Sequence, residues 1–163
     1  MLTPRLEVRP PTEADRPRFV ELFCDEEFMI FSDGVLTTDE AQRRFDDMLA
    51  RAKELAFAKQ PVIERSTGHI VGYSGVDWFP FEGEHRLEFG YRLVREVRGR
   101  GYATEASRAV LTMAAETFRG EILAIIDPKN SASHAVALKL GFTFWKQEFV
   151  NSYLVNLYRL QIP

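Results

Sequence analysis

The chain has 163 residues, of which 45% are apolar and 28% charged, and its formal net charge is −3 at pH 7. This length predicts one domain, residues 1–163, with a core large enough to fold without disulfide bonds. The charge balance argues against a nucleic-acid partner. The chain also lacks a membrane-length apolar run and a signal-peptide layout, so we expect a cytoplasmic protein with no membrane contact.

Apolar periodicity and turn residues predict strands and helices along the whole chain. The first half is predicted to hold a strand, two helices and a hairpin, at Leu6 to Arg9, about Asp15 to Asp25, Thr38 to about Lys59, and Pro61 to Val76. In the second half, strands are predicted at Arg86 to Val94, Ile122 to Ile126, Phe142 to Val150 and Tyr153 to Leu160, and helices at Ala103 to Phe118 and Ala132 to Leu140. The expected helix-end residues are Thr38, then Ser131 or Ser133, and Gly141 as a left-handed C-terminal cap.

The segment from Val97 to Ala106 (V-R-G-R-G-Y-A-T-E-A) joins a predicted strand to a predicted helix and holds two glycines. Glycines at such a turn let successive backbone N–H groups point into one concavity at a helix N-terminus, which suits a phosphate or pyrophosphate. Two familiar phosphate-binding loops do not fit. A P-loop needs Gly-Lys-Ser/Thr after Gly101, and a dinucleotide fingerprint that starts at Gly99 needs Gly or Ala where Thr104 stands.

Arg98, Gly101 and Ala103 match the pattern Gln/Arg-x-x-Gly-x-Gly/Ala, which resembles the acetyl-CoA pyrophosphate loop of the GNAT acetyltransferase superfamily. The longer string R-G-R-G-Y-A-T-E-A is similar to the RimJ/RimL-type branch, which acetylates protein N-termini and various small amines. Three further segments resemble the same branch: the opening Arg5 to Asp15, the strand entry Glu88-Phe89-Gly90-Tyr91, and the run from Asn130 to Phe142. The resemblance therefore spans nearly the whole chain, in order.

The resemblance implies an α/β (α+β) architecture. A mixed, mostly antiparallel sheet of about seven strands would be flanked by four helices. Two parallel strands, Arg86–Val94 and Ile122–Ile126, would splay apart to admit the pantetheine arm of acetyl-CoA. The order of the predicted elements matches this fold.

The resemblance also implies acetyl-CoA as co-substrate and assigns it three groups of residues. The pyrophosphate would be held mainly by the backbone of Arg98, Gly99, Arg100, Gly101, Tyr102, Ala103 and Thr104. Pantetheine would pair with the backbone of Arg92, Leu93 and Val94, where one amide could also donate to the thioester oxygen. Asn130 would orient the pantetheine amides or fix its own loop, and Ser133 would lie beside it.

Glu88 is the candidate general base, because acetyl transfer needs a neutral amine and most amines are protonated at pH 7. It resembles the strand glutamate that several GNAT enzymes use in this way, although a solvent-facing glutamate on a strand is the plain alternative. The general acid is less evident. Many family members place a tyrosine where this chain has Ala137, so Ser133 is the substitute candidate, with a helix-capping role as its alternative.

The predicted activity is direct acetyl transfer to a primary amine. Cys24, the one cysteine, lies outside every motif and is expected to be a buried structural thiol rather than a nucleophile. The three histidines show no metal-ligand spacing, so no metal is expected. The alternative from another class is a non-catalytic acyl-CoA-binding or regulatory domain, which the missing tyrosine favours and Glu88 disfavours.

The sequence does not distinguish between four classes of acceptor: a protein N-terminus, a polyamine, an amino acid and an antibiotic. Two loops with aromatic residues, Trp78 to Phe81 and Phe28 with Phe31, would border an acceptor pocket or else belong to the core. Acidic residues could attract a cationic acceptor or form a solvated face, namely Asp25, Glu26, Glu27 and Asp33. A homodimer would be possible through pairing of Tyr153 to Leu160 if that segment is an edge strand.

Overall fold

The computed structural model describes residues 1–32 and 34–163. Its strands are β1 (Leu6–Val8), β2 (Gln60–Glu64), β3 (Ile70–Phe81), β4 (Glu84–Leu93), β5 (Gly120–Ile126), β6 (Thr143–Val150) and β7 (Tyr153–Ile162). Its α-helices are α1 (Arg16–Phe23), α2 (Thr38–Glu54), α3 (Tyr102–Thr117) and α4 (Ser131–Lys139), and short 3-10 turns precede α1 and α3. The predicted order of strands and helices is confirmed.

The strands form one sheet in the order β1-β2-β3-β4-β5-β7-β6, as the predicted fold class requires. Every neighbouring pair is antiparallel except β4 and β5, which are parallel. This parallel pair is in register only at Leu87↔Ile122 and Glu88↔Leu123. Beyond Glu88 the two strands separate, and the gap between them lies at the centre of the sheet.

Side-chain capping sets the helix starts one residue earlier than predicted in two places. Thr37, not Thr38, caps α2, and its side chain accepts a hydrogen bond from the backbone of Glu40 in a capping box. Asn130, not Ser131 or Ser133, caps α4 by accepting from the backbone N–H of Ser133. The C-terminal end of α4 is as predicted, with a left-handed residue at Gly141, φ 92°.

Strand β3 extends beyond Val76, where the predicted hairpin of Pro61 to Val76 ended, and forms a second hairpin with β4. Strand β3 continues through Phe81 and turns back over Glu82 and Gly83, whose φ angles of 51° and 79° are those of a two-residue hairpin turn. The segment Trp78 to Phe81 is therefore strand rather than loop. Phe81 packs against Leu123 and Leu157, at the end of the sheet away from the β4–β5 gap.

Helices cover both faces of the sheet. On one face α3 buries a small-residue stripe that includes Ala106, Val110 and Ala114, each fully buried. On the other face α1 and α2 bury Phe19 and Phe45, whose rings lie 5.4 Å apart. Truncating a ring of this kind typically costs about 3–5 kcal/mol, so these two rings contribute strongly to the stability of this layer.

Two surface predictions are wrong. Cys24 is exposed, because α1 ends at Phe23 and Cys24 follows it as the C-terminal cap. Strand β7 is not an edge strand, because it lies between β5 and β6. The edge route to a homodimer through Tyr153 to Leu160 is therefore closed, and dimerisation itself remains a prediction. No helix in the described residues is long and apolar enough to cross a membrane.

Candidate active site

A cavity of about 600 Å³ lies in the gap between β4 and β5. Its wall includes Glu88 and Arg92 from one face of β4, and Phe89 and Tyr91 from the opposite face. Because side chains alternate between faces along a strand, a wall that holds both sets must pass through the sheet. One end of this cavity reaches the segment from Arg98 to Thr104, and the other opens beside α2.

The hairpin register decides which backbone groups of β4 face the gap. Phe81 pairs with Glu84 across the two-residue turn, and the Val94 N–H donates to the Val71 carbonyl. Because backbone groups alternate in direction along a strand, the N–H and C=O groups of the even-numbered residues of β4 point to β3. The N–H groups of Tyr91 and Leu93 therefore point to the open side. Of the three amides predicted to pair with pantetheine, Leu93 is available. Val94 is not, since its N–H is already used, and Arg92 follows the same alternation towards β3.

The glycine loop has the geometry expected for binding an anion. Gly99 and Gly101 adopt left-handed φ angles of 74° and 81°, and α3 begins directly after Gly101. Outside α3 itself, no described carbonyl or side chain accepts a hydrogen bond from the amides of residues 99–104. These free N–H groups lie at the N-terminus of a helix, where the helix dipole adds favourable potential for negative charge. Most of the predicted loop lines the cavity, namely Arg98, Gly99, Gly101, Tyr102, Ala103 and Thr104.

The two loop arginines hold the loop in place. Arg98 donates through Nε to the Leu93 carbonyl at 3.2 Å and through Nη2 to the Glu27 carbonyl at 3.0 Å. Arg100 pairs with Glu64 at 3.4 Å and lies over the Tyr102 ring, outside the residues that line the cavity. The side chain of Arg100 is thus directed away from the predicted pyrophosphate position.

Glu88 projects into the cavity from the point where β4 and β5 separate. Its carboxylate is half-buried, and no described residue donates a hydrogen bond to it or pairs with it. Burial raises the pKa of Glu88, an effect that Asp77 strengthens and that Lys59, Arg92 and Arg44 oppose. A desolvated carboxylate without a partner has the properties of a general base.

A pair of hydroxyls lies on the opposite face of β4. The Tyr91 hydroxyl is 3.1 Å from the Ser133 hydroxyl, and both residues line the cavity. Burial raises the pKa of Tyr91, so its hydroxyl keeps its proton at neutral pH. Tyr91 belongs to the strand-entry motif Glu88-Phe89-Gly90-Tyr91, but the motif alone predicted no role for its hydroxyl. The signal for its role is its position three residues after Glu88, which places it across the sheet from that carboxylate. Ala137, where the family resemblance led us to look for a tyrosine, also lines the cavity.

A second cavity, of about 250 Å³, adjoins the first on the α2 side. The two share Arg44, Lys59 and Tyr73 as lining residues, so they lie next to each other. Phe28 and Phe31 line the larger cavity, whereas Trp78 to Phe81 line neither of them. The aromatic-wall prediction thus applies to only one of its two segments.

The described acidic side chains of the α1–α2 connection, Asp25, Glu26 and Glu27, line neither cavity. Asp25 accepts a hydrogen bond from the Phe28 backbone, Glu27 faces Arg95 and Arg98, and Glu26 is exposed. Asp33, the fourth residue of the predicted cluster, lies outside the described residues.

The fold and this site together define an enzyme that transfers an acetyl group from acetyl-CoA to an amine. The chain belongs to the GNAT acetyltransferase family, since that family's acetyltransferase (GNAT) domain matches residues 5–143. It is 29% identical to the uncharacterised protein YkkB of Bacillus subtilis (strain 168) over 90% of this chain and 86% of the relative. It is 28% identical to YnaD of the same organism, an uncharacterised N-acetyltransferase, over 85% of this chain and 79% of the relative.

Solved structures of low identity share the fold. A GnaT-family acetyltransferase of Bordetella pertussis superposes with a TM-score of 0.85 at 21% identity, covering 98% of this chain and 97% of that one. RimL, a ribosomal L7/L12 alpha-N-protein acetyltransferase solved with coenzyme A, gives 0.80 at 19% identity over 99% and 97%. The yncA protein of Salmonella typhimurium, solved with its cofactor acetyl-CoA, gives 0.74 at 19% identity over 98% and 95%.

The residues present fit acetyl-CoA chemically. The free amides of residues 99–104 suit a pyrophosphate, and the open edge of β4 at Tyr91 and Leu93 suits the amides of a pantetheine arm. Asn130 lines the same cavity, although its side-chain oxygen caps α4. In the described residues, no group of three or more His, Cys, Asp or Glu side chains is arranged to hold a metal.

Proposed function

We propose that this enzyme transfers the acetyl group directly to a primary amine bound between Glu88 and α2. The observation that carries this proposal is the unpaired, half-buried carboxylate of Glu88, at the point where the cavity passes through the sheet. An amine that entered from the α2 side would meet this carboxylate before the thioester.

Glu88 would act as the general base. Acetyl-CoA, when bound, supplies an activated acetyl thioester. As the amine nitrogen bonds to the acetyl carbon, the carbon–sulfur bond breaks and one amine proton passes to Glu88, directly or through a water. Deprotonating an α-amino group of pKa about 8 costs about 1–1.5 kcal/mol at pH 7, and a lysine costs nearly 5. The neighbouring cations Arg44, Lys59 and Arg92 assist, because they disfavour the protonated amine.

Tyr91 and Ser133 would return a proton to the departing sulfur. Their hydroxyls are 3.1 Å apart, so either one can donate while the other keeps it oriented. This pair would do the work of the tyrosine that the family resemblance implies at position 137, where this chain has alanine. The contribution is modest, since a thiolate with a pKa near 8.5 leaves without much assistance.

The loop from Arg98 to Thr104 and the Tyr91 and Leu93 amides would hold the cofactor. The loop backbone would bind the pyrophosphate, and one of the two strand amides would donate to the thioester oxygen as negative charge develops there. The non-catalytic binding domain is the weaker alternative, because a domain without turnover has no need for an unpaired, half-buried carboxylate. Similarity to RimL leaves a protein N-terminus among the acceptors, beside small-molecule amines.

The test is release of free thiol from acetyl-CoA with a panel of amines and N-terminal peptides. The control is Gly99→Asp, which puts a carboxylate into the pyrophosphate loop. Position 99 is better for this purpose than 101, because a side chain at 101 would lie about 3.4 Å from the Arg5 guanidinium and could pair with it. The proposal is supported if an amine makes the wild type release thiol and Gly99→Asp does not. Tight acetyl-CoA binding without release for any amine contradicts it.

A further inference from the structure

We infer that the acceptor is a small amine that also carries an anionic oxyacid group, a carboxylate or a phosphate. Arg44 and Arg92 would bind that group while the amine faces Glu88. This inference rests on the proposed function and adds the substrate class.

The guanidinium groups of Arg44 and Arg92 have no carboxylate partner among residues 1–32 and 34–163. Arg44 lies over the Phe23 ring at 5.3 Å, and it lines both cavities. Arg92 lies over the Phe28 ring at 6.0 Å and also contacts the Met29 sulfur and the Phe31 carbonyl. Both groups are half-buried beside aromatic rings, and no carboxylate of the described residues accepts from their N–H groups.

Asp77, the nearest carboxylate on β3, is already paired. It accepts a hydrogen bond from Arg51 at 2.9 Å and lies 3.9 Å from the Lys59 ammonium. Asp47 and Asp77 line the smaller cavity with Arg44, and neither carboxylate lines the larger one. The larger cavity presents three half-buried cations, Arg44, Lys59 and Arg92, and one half-buried carboxylate, Glu88; its other carboxylate, Asp127, is exposed. Half-buried cations in such excess favour an anionic ligand.

The acceptor must also supply an amine, since Glu88 is the base of the proposed reaction. A molecule with an amine and an anionic group on one short skeleton satisfies both requirements. The amine lies by Glu88 and the anion by the arginines, which extend from different elements, α2 and β4. The adjoining 250 Å³ accommodates a small side chain against Phe23 and Tyr73. A polyamine is disfavoured, because its remaining ammonium groups would face the same cations.

Matched pairs of amines test this inference. L-Phenylalanine is compared with L-phenylalaninamide, and O-phosphoethanolamine with ethanolamine, by thiol release and by calorimetry on the enzyme saturated with coenzyme A. A carboxylate raises the pKa of its neighbouring amine, so intrinsic reactivity favours the amide. We expect the opposite order, with an anionic member preferred in kcat/KM by about tenfold or more. The two pairs also distinguish a carboxylate from a phosphate.

Two adjacent arginines of α2 provide the variant and its control. Arg44→Gln should raise the KM and the calorimetric Kd of the anionic amine about tenfold and change those of the neutral partner less than about twofold. Arg43→Gln removes the same charge from an exposed neighbour and should change neither. Arg44→Lys should recover part of the loss.

The outcomes separate this inference from the proposed function. If neutral amines or uncharged peptides are better acceptors than both anionic amines, the inference fails while acetyl transfer stands. An anionic amine whose binding Arg44→Gln weakens about tenfold supports the inference even where no thiol is released. If neither anionic amine binds, the inference is overturned.

Discussion

The Glu88 carboxylate is destabilising in the folded chain, because burial raises its pKa above the ordinary value of 4.5 and no described residue donates a hydrogen bond to it. The folded state therefore holds its proton more tightly than the unfolded state. Stability is lost as pH rises from about 4.5 through the folded pKa, and the loss is complete above that pKa. Sites that need such a group trade stability for activity.

Replacing this carboxylate should therefore stabilise the protein. Glu88→Gln is expected to raise the Tm at about pH 8 and to change it least near pH 4, where the glutamate is neutral in both states. Glu84→Gln, at the exposed start of the same strand, is the control and should show no such gain. A Tm for Glu88→Gln below that of the wild type at about pH 8 would show that the carboxylate has a stabilising partner.

The hydroxyl pair predicts a small and non-additive effect on turnover. Tyr91→Phe and Ser133→Ala should each lower kcat by less than about tenfold, because the thiolate leaves readily. The double variant should lose little more than either single one, since each hydroxyl works through the other. Ser133→Ala preserves the helix cap, which is the Asn130 side chain. Fully additive losses in kcat would mean that the two hydroxyls act independently.

At the scale of elements, the glycine loop shows what a short pattern can predict. The left-handed φ angles of Gly99 and Gly101 follow from the need to turn amides into one concavity, and the sequence carried that signal. The caps were less predictable, because Thr37 and Thr38, or Asn130 and Ser131, are equally good capping residues side by side. Only the three-dimensional path of the chain selects one of them.

A matched pair of glycines tests the loop. Gly99 and Gly68 have φ angles of 74° and 72°, and in each case open space surrounds the position of an added Cβ. Alanine at either site should cost about 1 kcal/mol in stability through the left-handed backbone. Only Gly99→Ala should also weaken coenzyme A binding, by about tenfold in calorimetry, because the loop amides would rotate. Equal coenzyme A affinity in both variants would place the pyrophosphate elsewhere.

For the whole molecule, the sequence order of elements was predictable, but the shape of the site was not. Strands of suitable length follow from apolar periodicity, whereas the separation of β4 from β5 was expected only through family resemblance. The cationic wall escaped prediction for a similar reason. Arg44, Lys59 and Arg92 come from α2, the segment before β2, and β4, and no local pattern relates them.

The gap between β4 and β5 leads us to expect that bound coenzyme A stabilises the fold. The described β4–β5 register holds at only two positions, so coenzyme A bound between the strands should tie the two parts of the sheet together. Saturation at about 100 times the Kd adds about 2.7 kcal/mol to the free energy of unfolding. Hydrogen exchange should slow most at residues 89–93 and 124–126, which line the gap. Protection spread evenly over the sheet would contradict binding in the gap.

The central claim is that Glu88 is the base in a cavity that passes through the sheet. The most direct measurement is kcat of Glu88→Gln with a working amine, taken together with its calorimetric Kd for coenzyme A and with Glu84→Gln as control. We expect kcat to fall by about 10²-fold or more at unchanged coenzyme A affinity, with the loss smallest at high pH, where the amine is already neutral. Wild-type turnover in Glu88→Gln across the pH range would contradict the claim.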